Sequence, residues 1–328
     1  MTREAERTWL GLHIFYHDQS KQDALLTEAI LPAIRELQES EKCREWFFLR
    51  YWEGGPHLRV RFLNPAAEVE SLLRERIGAF IAAHPAEREW TREEYYANHT
   101  FDGEKLDEAE LPWYPNGTIV ALPYEPEYKR YGGVAAMPIS ESLFHLSSET
   151  AMDVIELTGA AFGKRLNIGL DLMILTALCL GVQPEELESY FTRYARMWQS
   201  FQASIEAALQ RADLMWEQNR AHLVPRMKTL QEFVQSGEDA PIYRRFVEGL
   251  QEAARCYGED EVRQKLESPW DNLPVEGELR FRTVLSYIAF SMIHMTNNRL
   301  GITPPLEHLL GTLVQRTAHE AGTGEGVS

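Results

Sequence analysis

The stretch Trp46–Phe62, WFFLRYWEGGPHLRVRF, decides how the first half of the chain is read. It contains two apolar runs joined by Glu53-Gly54-Gly55-Pro56, the pattern of two strands and a short connection. Strand side chains alternate between faces. Leu58, Val60 and Phe62 therefore share one face, and His57, Arg59 and Arg61 share the other. Three basic side chains in a row are unusual for a plain edge strand, and arginine is well suited to holding carboxylates through paired hydrogen bonds. Taken alone, the row reads equally well as a solvated basic face ion-paired to nearby glutamates.

Working outward, Leu10–His17 reads as a first strand. Lys21–Gln38 reads as a helix, with Leu25, Leu26, Ala29, Ile30, Ala33, Ile34 and Leu37 at helical spacing, Ser20 as N-cap, and Pro32 either bending it or marking a late start. Pro65–Ala83 is a second amphipathic helix. Strand, helix, strand, strand, helix predicts a mixed sheet with helices on one face. Residues 85–117 are acidic and aromatic and read as an irregular excursion, with room for a short strand, ending at the Asn116-Gly117 turn signal. Thr118–Tyr124 returns to strand. A shaped loop, Glu127-Tyr128-Lys129-Arg130-Tyr131-Gly132-Gly133, follows.

Beyond Pro138 strand signals stop. Ser140–Thr158, Leu166–Leu180, Pro184–Ala212 (with a break), His222–Gly237, Pro241–Tyr257, Leu279–Arg299 and Pro305–Arg316 all read as helices. The tail after His319 is small and polar and predicts disorder. The expected fold is α+β: an α/β half over residues 1–137, an all-helical half over 138–318 packed with it as one unit, and a disordered tail over 319–328.

Composition narrows the function. The chain has 328 residues, 44% hydrophobic and 25% charged, an ordinary globular balance with room for a real core. A formal net charge of −17 disfavours nucleic-acid binding but leaves room for a local basic pocket that takes a small anionic group. Cys43, Cys179 and Cys256 are far apart, so neither a zinc site nor a disulfide framework is indicated. The opening MTREAERTW lacks a signal-peptide core, and the run Ile168–Val182 is too short for a bilayer of roughly 30 Å. A cytoplasmic protein with no metal and no cofactor is expected.

Two further groups could carry chemistry. In Glu127–Gly133, Glu127 and Arg130 meet if the loop turns helically, and the paired glycines permit positive φ. The bland reading is a turn stapled by its own ion pair. In SMIHMTNNRL (Ser291–Leu300), His294, Asn297 and Asn298 share a helix face, with Arg299 rotated away. A lone histidine on an apolar helix is more often a satisfied core side chain, but its polar neighbours need partners of their own if buried. Asp171, inside an apolar helix, reads as a helix-pairing contact.

Taken in order, Trp9 with LHIFY, then WFFLRYWEGGPHLRVRF, YEPEYKRYGG, SESLFHLSS (Ser140–Ser148) and HMTNNRL resemble the lantibiotic dehydratase C-terminal, or thiopeptide-type bacteriocin biosynthesis, family. The resemblance spans about Trp9 to Arg316 and looks like a stand-alone elimination domain. It implies that a separate glutamyl-tRNA-dependent protein esterifies Ser or Thr of a precursor peptide with glutamate. This chain would then expel the glutamate to leave dehydroalanine or dehydrobutyrine. The implied site is Arg59 or Arg61 from the strand, Glu127 and Arg130 from the loop, and His294 from the helix. His294 would be the general base, the arginines would grip carboxylates and the enolate oxygen, and Glu127 would orient Arg130 or bind the glutamyl ammonium. The flanking His57, Tyr131, Asn297, Asn298 and Arg299 are expected at the substrate. The expected partner is the precursor peptide, leader plus core, with no nucleic acid and no membrane; a homodimer is compatible with the sequence. The same family includes pyridine-forming [4+2] macrocyclases, and a non-catalytic peptide-binding scaffold is the reading from another class.

Overall fold

The computed structural model describes residues 7–97, 111–236, 241–270, 273 and 276–323. Residues 98–110 of the acidic excursion and 324–328 of the tail lie outside the described residues. The chain divides into two compact units. One is Met1–Pro126 with Ser148–Gly159, and the other is Glu127–Ser147 with Ala160–Ser328. The Glu127–Gly133 loop thus belongs to the helical unit, not to the sheet half where the sequence boundary at 137 put it.

The sheet unit runs β1 (Trp9–Phe15), α1 (Gln22–Leu25), a π-helical turn at Leu26–Ile30, α2 (Leu31–Glu39), β2 (Trp46–Tyr51), β3 (His57–Leu63), α3 (Glu68–Ala83), α4 (Arg92–Tyr96) and β4 (Ile119–Ala121). Strand order is β2-β3-β1-β4, and each neighbouring pair is antiparallel. This is the β-α-β-β-α-β arrangement of two interlocked split units. The sheet is antiparallel rather than mixed because β3 inserts between β1 and β2. Strands that run in the same direction, β1 with β2 and β3 with β4, never become neighbours.

Register sorts the side chains. Leu12 faces Val60, Ile14 faces Leu58, Trp46 faces Phe62 and Phe48 faces Val60, so these seven apolar residues line one face, and all are buried. Leu25, Leu26, Ile30, Ile34 and Leu37 from the first helical segment and Val69, Leu73, Ile77 and Phe80 from α3 are the matching buried stripes. The opposite face carries His13 across from Arg59, Phe15 across from His57, and Phe47 across from Arg61.

The β2 edge is covered from within the unit. Ser148 Oγ accepts from the Phe48 amide at 3.1 Å, and the Trp46 indole donates to Glu149 at 2.6 Å. At the β4 edge, Arg74 donates to the Ile119 carbonyl at 2.6 Å.

Local differences from the sequence reading have physical causes. Pro32 has no N–H to give, and the helix widens into the π turn just before it. Ser20 does not cap; its hydroxyl donates to Asp18 at 2.6 Å. Within the excursion, Thr91 and Glu94 form a capping box that starts α4. Its Tyr95 and Tyr96 pack with Trp52, Trp90, Leu111 and Trp113.

The helical unit takes the first half of α5 (Met137–Thr158), then α6 (Phe162–Cys179), α7 (Leu187–Met197), α8 (Ile205–Ser236), α9 (Pro241–Gly258), α10 (Asp260–Arg263), α11 (Gly277–Arg299) and α12 (Pro304–Thr323). The break expected within Pro184–Ala212 falls at residues 198–204, and α8 continues through Pro225. Residues 319–323, expected in the disordered tail, are the last turn of α12. Asp171 on α6 is fully buried and ties three helices together. Arg226 on α8 grips it with two nitrogens, and the Tyr243 hydroxyl on α9 donates to it at 2.5 Å.

Candidate active site

The loop that carries Glu127 turns helically. Tyr128–Tyr131 is a single 3-10 turn, so Glu127 and Arg130 stand one turn apart and pair at 3.1 Å. Gly132 ends the turn in the left-handed region at φ 91°. A Cβ there would lie 2.9 Å from Ala136 Cβ and 3.0 Å from both Ile288 and Leu266. Only glycine provides both the φ and the space. Arg130 then reaches α11, where its Nε donates to Ser291 Oγ at 3.2 Å.

Ser291 and His294 are three apart on α11, hence neighbours on one helix face. The hairpin of α11 and α12 supplies the rest. Gly301, at φ 73°, turns the chain, and Pro304 and Pro305 open α12. Glu307 is thereby returned to the His294 face. His294 Nδ1 lies 2.8 Å from Glu307 Oε1. Glu307 Oε2 accepts from the Tyr194 hydroxyl and from Asn297 Nδ2, the latter at 3.2 Å. Glu307 is fully buried, whereas the His294 side chain keeps 21% of its surface exposed. The Trp198 ring stacks on the imidazole at 4.5 Å. Burial, and next the adjacent Glu307 carboxylate, hold the Tyr194 phenol well above its ordinary pKa, so it stays a donor.

In chemical terms, a partly exposed imidazole backed by a carboxylate stands one turn along α11 from a serine bound by a guanidinium. Such a set can move a proton and stabilise negative charge. Among the described residues, no group of three or more His, Cys, Asp or Glu is placed to hold a metal ion.

Other residues singled out from the sequence fall elsewhere. Asn297 supports Glu307 from a buried position. Arg299 is also fully buried; its Nη1 donates to Ser147 Oγ at 3.3 Å, which makes it an interior anchor rather than a substrate contact. Tyr131 is likewise interior, packed edge-on against Phe144 at 4.7 Å. Asn298, next along α11, is half-buried.

Within the sheet unit, His57 is buried. Its Nδ1 donates to the Gly55 carbonyl at 2.8 Å, and its Nε2 accepts from Arg59 Nε at 3.0 Å. It orients Arg59, whose guanidinium lies 3.5 Å from the centre of the Tyr51 ring. The Arg61 guanidinium lies 4.5 Å from the Tyr124 ring centre. Burial, reinforced by Arg59 and Arg61, pushes the His13 and His57 imidazoles down to about 3.

Sequence reasoning missed Ser291, Tyr194, Trp198 and Glu307. Only Glu307 left a signal: an acidic residue in the first turn of a helix announced by Gly301 and two prolines.

Solved structures that share this fold include three from known proteins. The pyridine synthase TbtD from thiomuracin biosynthesis matches with a TM-score of 0.71 at 20% identity, over 97% of this chain and 100% of that one. TsrL matches with a TM-score of 0.67 at 20% identity, over 97% of this chain and 95% of that one. The tRNA-dependent lantibiotic dehydratase MibB from Microbispora sp. 107891 matches with a TM-score of 0.55 at 20% identity, over 98% of this chain but only 28% of that one. No curated protein sequence matches. The family model for the lantibiotic biosynthesis dehydratase C-terminal region covers residues 9–318, and the chain belongs to that family.

Proposed function

We propose that the chain is a carbon–oxygen lyase that eliminates glutamate from O-glutamylated Ser or Thr of a ribosomal precursor peptide, the glutamate having been attached by a separate partner protein. The observation that carries this reading is the convergence of the Glu127–Arg130 pair and His294 on one face of α11, through Ser291. In the step, His294 takes the Cα proton. The electron pair passes through an enolate into a new Cα–Cβ double bond, the Cβ–O bond breaks, and glutamate departs as a carboxylate. Arg130 offers positive charge to the enolate oxygen or to a glutamyl carboxylate, and Glu127 holds its guanidinium in place. Arg59 and Arg61 enter this reading through the family resemblance alone. The membership also fits a role in lantibiotic or thiopeptide biosynthesis, and among the described residues no helix is long and apolar enough to cross a membrane.

The test is His294→Ala supplied with a glutamylated peptide and followed by mass spectrometry. The ester is expected to persist, with elimination slowed at least about 100-fold. Dehydration at the normal rate refutes the assignment. Release of a leader peptide with formation of a ring from two dehydroalanines replaces it with the cyclisation reading. Binding without turnover by the unaltered chain points to a scaffold.

A further inference from the structure

The proposed base does not stand alone. We infer that Glu307 is a positioning residue that holds His294 in its Nδ1–H tautomer and so keeps Nε2 as the basic nitrogen. The inference rests on the elimination reading for its catalytic consequence, but not for its statement about the imidazole.

Four observations support it. Glu307 has no solvent exposure, and a buried carboxylate is tolerated only when donors replace its water. Three donors do so: His294 Nδ1 on one oxygen, and Tyr194 and Asn297 on the other. With Oε2 taken by hydroxyl and amide donors, Oε1 is left to accept from the imidazole. Second, Glu307 lies in the first turn of the twenty-residue helix α12, where the helix dipole favours negative charge. Third, Trp198 stacks on the ring and limits its rotation, so the Nδ1 bond fixes the tautomer of a ring already fixed in plane. Fourth, His294 Nε2 has no hydrogen-bond partner among the described residues, and the side chain is partly exposed. One ring nitrogen is committed to the interior and the other is free to take a proton. A carboxylate behind an imidazole performs this service in other proton-transfer sites, where it orients the ring and stabilises the imidazolium that forms.

The competing role is purely structural: Glu307 would simply lock α11 to α12. The two roles separate by spectroscopy. In the full-length protein with ¹⁵N-labelled histidine, His294 signals are assigned by their disappearance in His294→Ala. At a pH where the ring is neutral, the unaltered protein is expected to show a protonated Nδ1 and an unprotonated Nε2. In Glu307→Gln the amide can donate to Nδ1, so the tautomer should invert. kcat should then fall on the order of 10²–10⁴-fold, with KM changed by no more than about threefold. Glu307→Asp should keep the Nδ1–H tautomer and recover part of kcat.

A neutral Nε2–H tautomer in the unaltered protein overturns the inference. So does Glu307→Gln with unchanged tautomer and unchanged kcat. If Glu307→Gln fails to fold, the spectra of the unaltered protein and of Glu307→Asp still decide. The spectra need no substrate, so failure of the elimination reading shows separately, as turnover surviving in His294→Ala.

Discussion

Replacing Arg130 with Ala should separate catalysis from stability, because its ion pair with Glu127 is open to water. Its side chain is 36% exposed and that of its ion-pair partner Glu127 is 61% exposed. An ion pair this open to water contributes about 0.2–1 kcal/mol, and the bond to Ser291 adds about 1 kcal/mol. These two contacts together are therefore worth no more than about 2 kcal/mol to the folded state. Elimination has a different stake in the residue. A guanidinium aimed at developing negative charge is worth about 10²–10³-fold in rate. The assay pairs urea unfolding with single-turnover elimination from a glutamylated peptide, the product being counted by mass spectrometry. The expected result is a protein still folded in the assay, its unfolding midpoint lowered in keeping with about 2 kcal/mol at most, together with a rate at least about 100-fold lower. Arg130→Lys should restore little, since an ammonium keeps the charge but loses the planar fork that spans two oxygens. Elimination within about threefold of the original rate refutes the reasoning. So does a loss of activity that merely tracks unfolding.

Two more measurements probe the framework around the site. Gly132→Ala forces a side chain into the left-handed region, for about 1–2 kcal/mol, and against Ala136, Ile288 and Leu266, for about 1–3 kcal/mol more. Chemical denaturation should show the sum of these, and elimination should weaken as the Arg130 turn is displaced. Acid should also destabilise the protein. His13 and His57 bind protons at about 3 when folded but at 6.5 in a free chain, so the unfolded state holds more protons below 6.5. Their contribution is complete above pH 6.5 and is lost as pH falls toward 3. Between pH 6.5 and about 5.5 each histidine should cost about 1 kcal/mol in urea titrations, and His13→Gln should remove about half of that slope.

The strand pair in Trp46–Phe62 and the amphipathic helices were legible because alternation and helical spacing report which face a residue occupies. They do not report depth. Arg299 and Tyr131 are expected at the substrate only because they flank the implied site in sequence, and being a sequence neighbour says nothing of burial. Here Arg299 is spent on Ser147 and Tyr131 on Phe144. The α+β class followed from element order, whereas the antiparallel order depended on β3 entering between β1 and β2, a long-range choice with no local signature. The Glu127–Arg130 contact could be read from three-residue spacing. The tie from Arg130 to Ser291 spans 161 residues and could not. Glu307 was hidden for the same reason: its meaning arises only once the Gly301 turn folds α12 back on α11. The capping box at Thr91 and Glu94 was present in the letters, but the dense aromatic and acidic composition around it obscured a helix of only five residues.

The way the sheet is finished at its sides also limits how it could handle a peptide. Ser148 and Glu149 occupy the β2 side, and β4 is three residues long with one carbonyl already claimed by Arg74. An incoming chain that added a strand would have to displace Ser148 from the Phe48 amide at one side, and would find only three strand residues at the other. If a peptide binds this unit, side chains are better placed than strand pairing to hold it, and its selectivity should then respond more to single substitutions than to the backbone conformation of the guest.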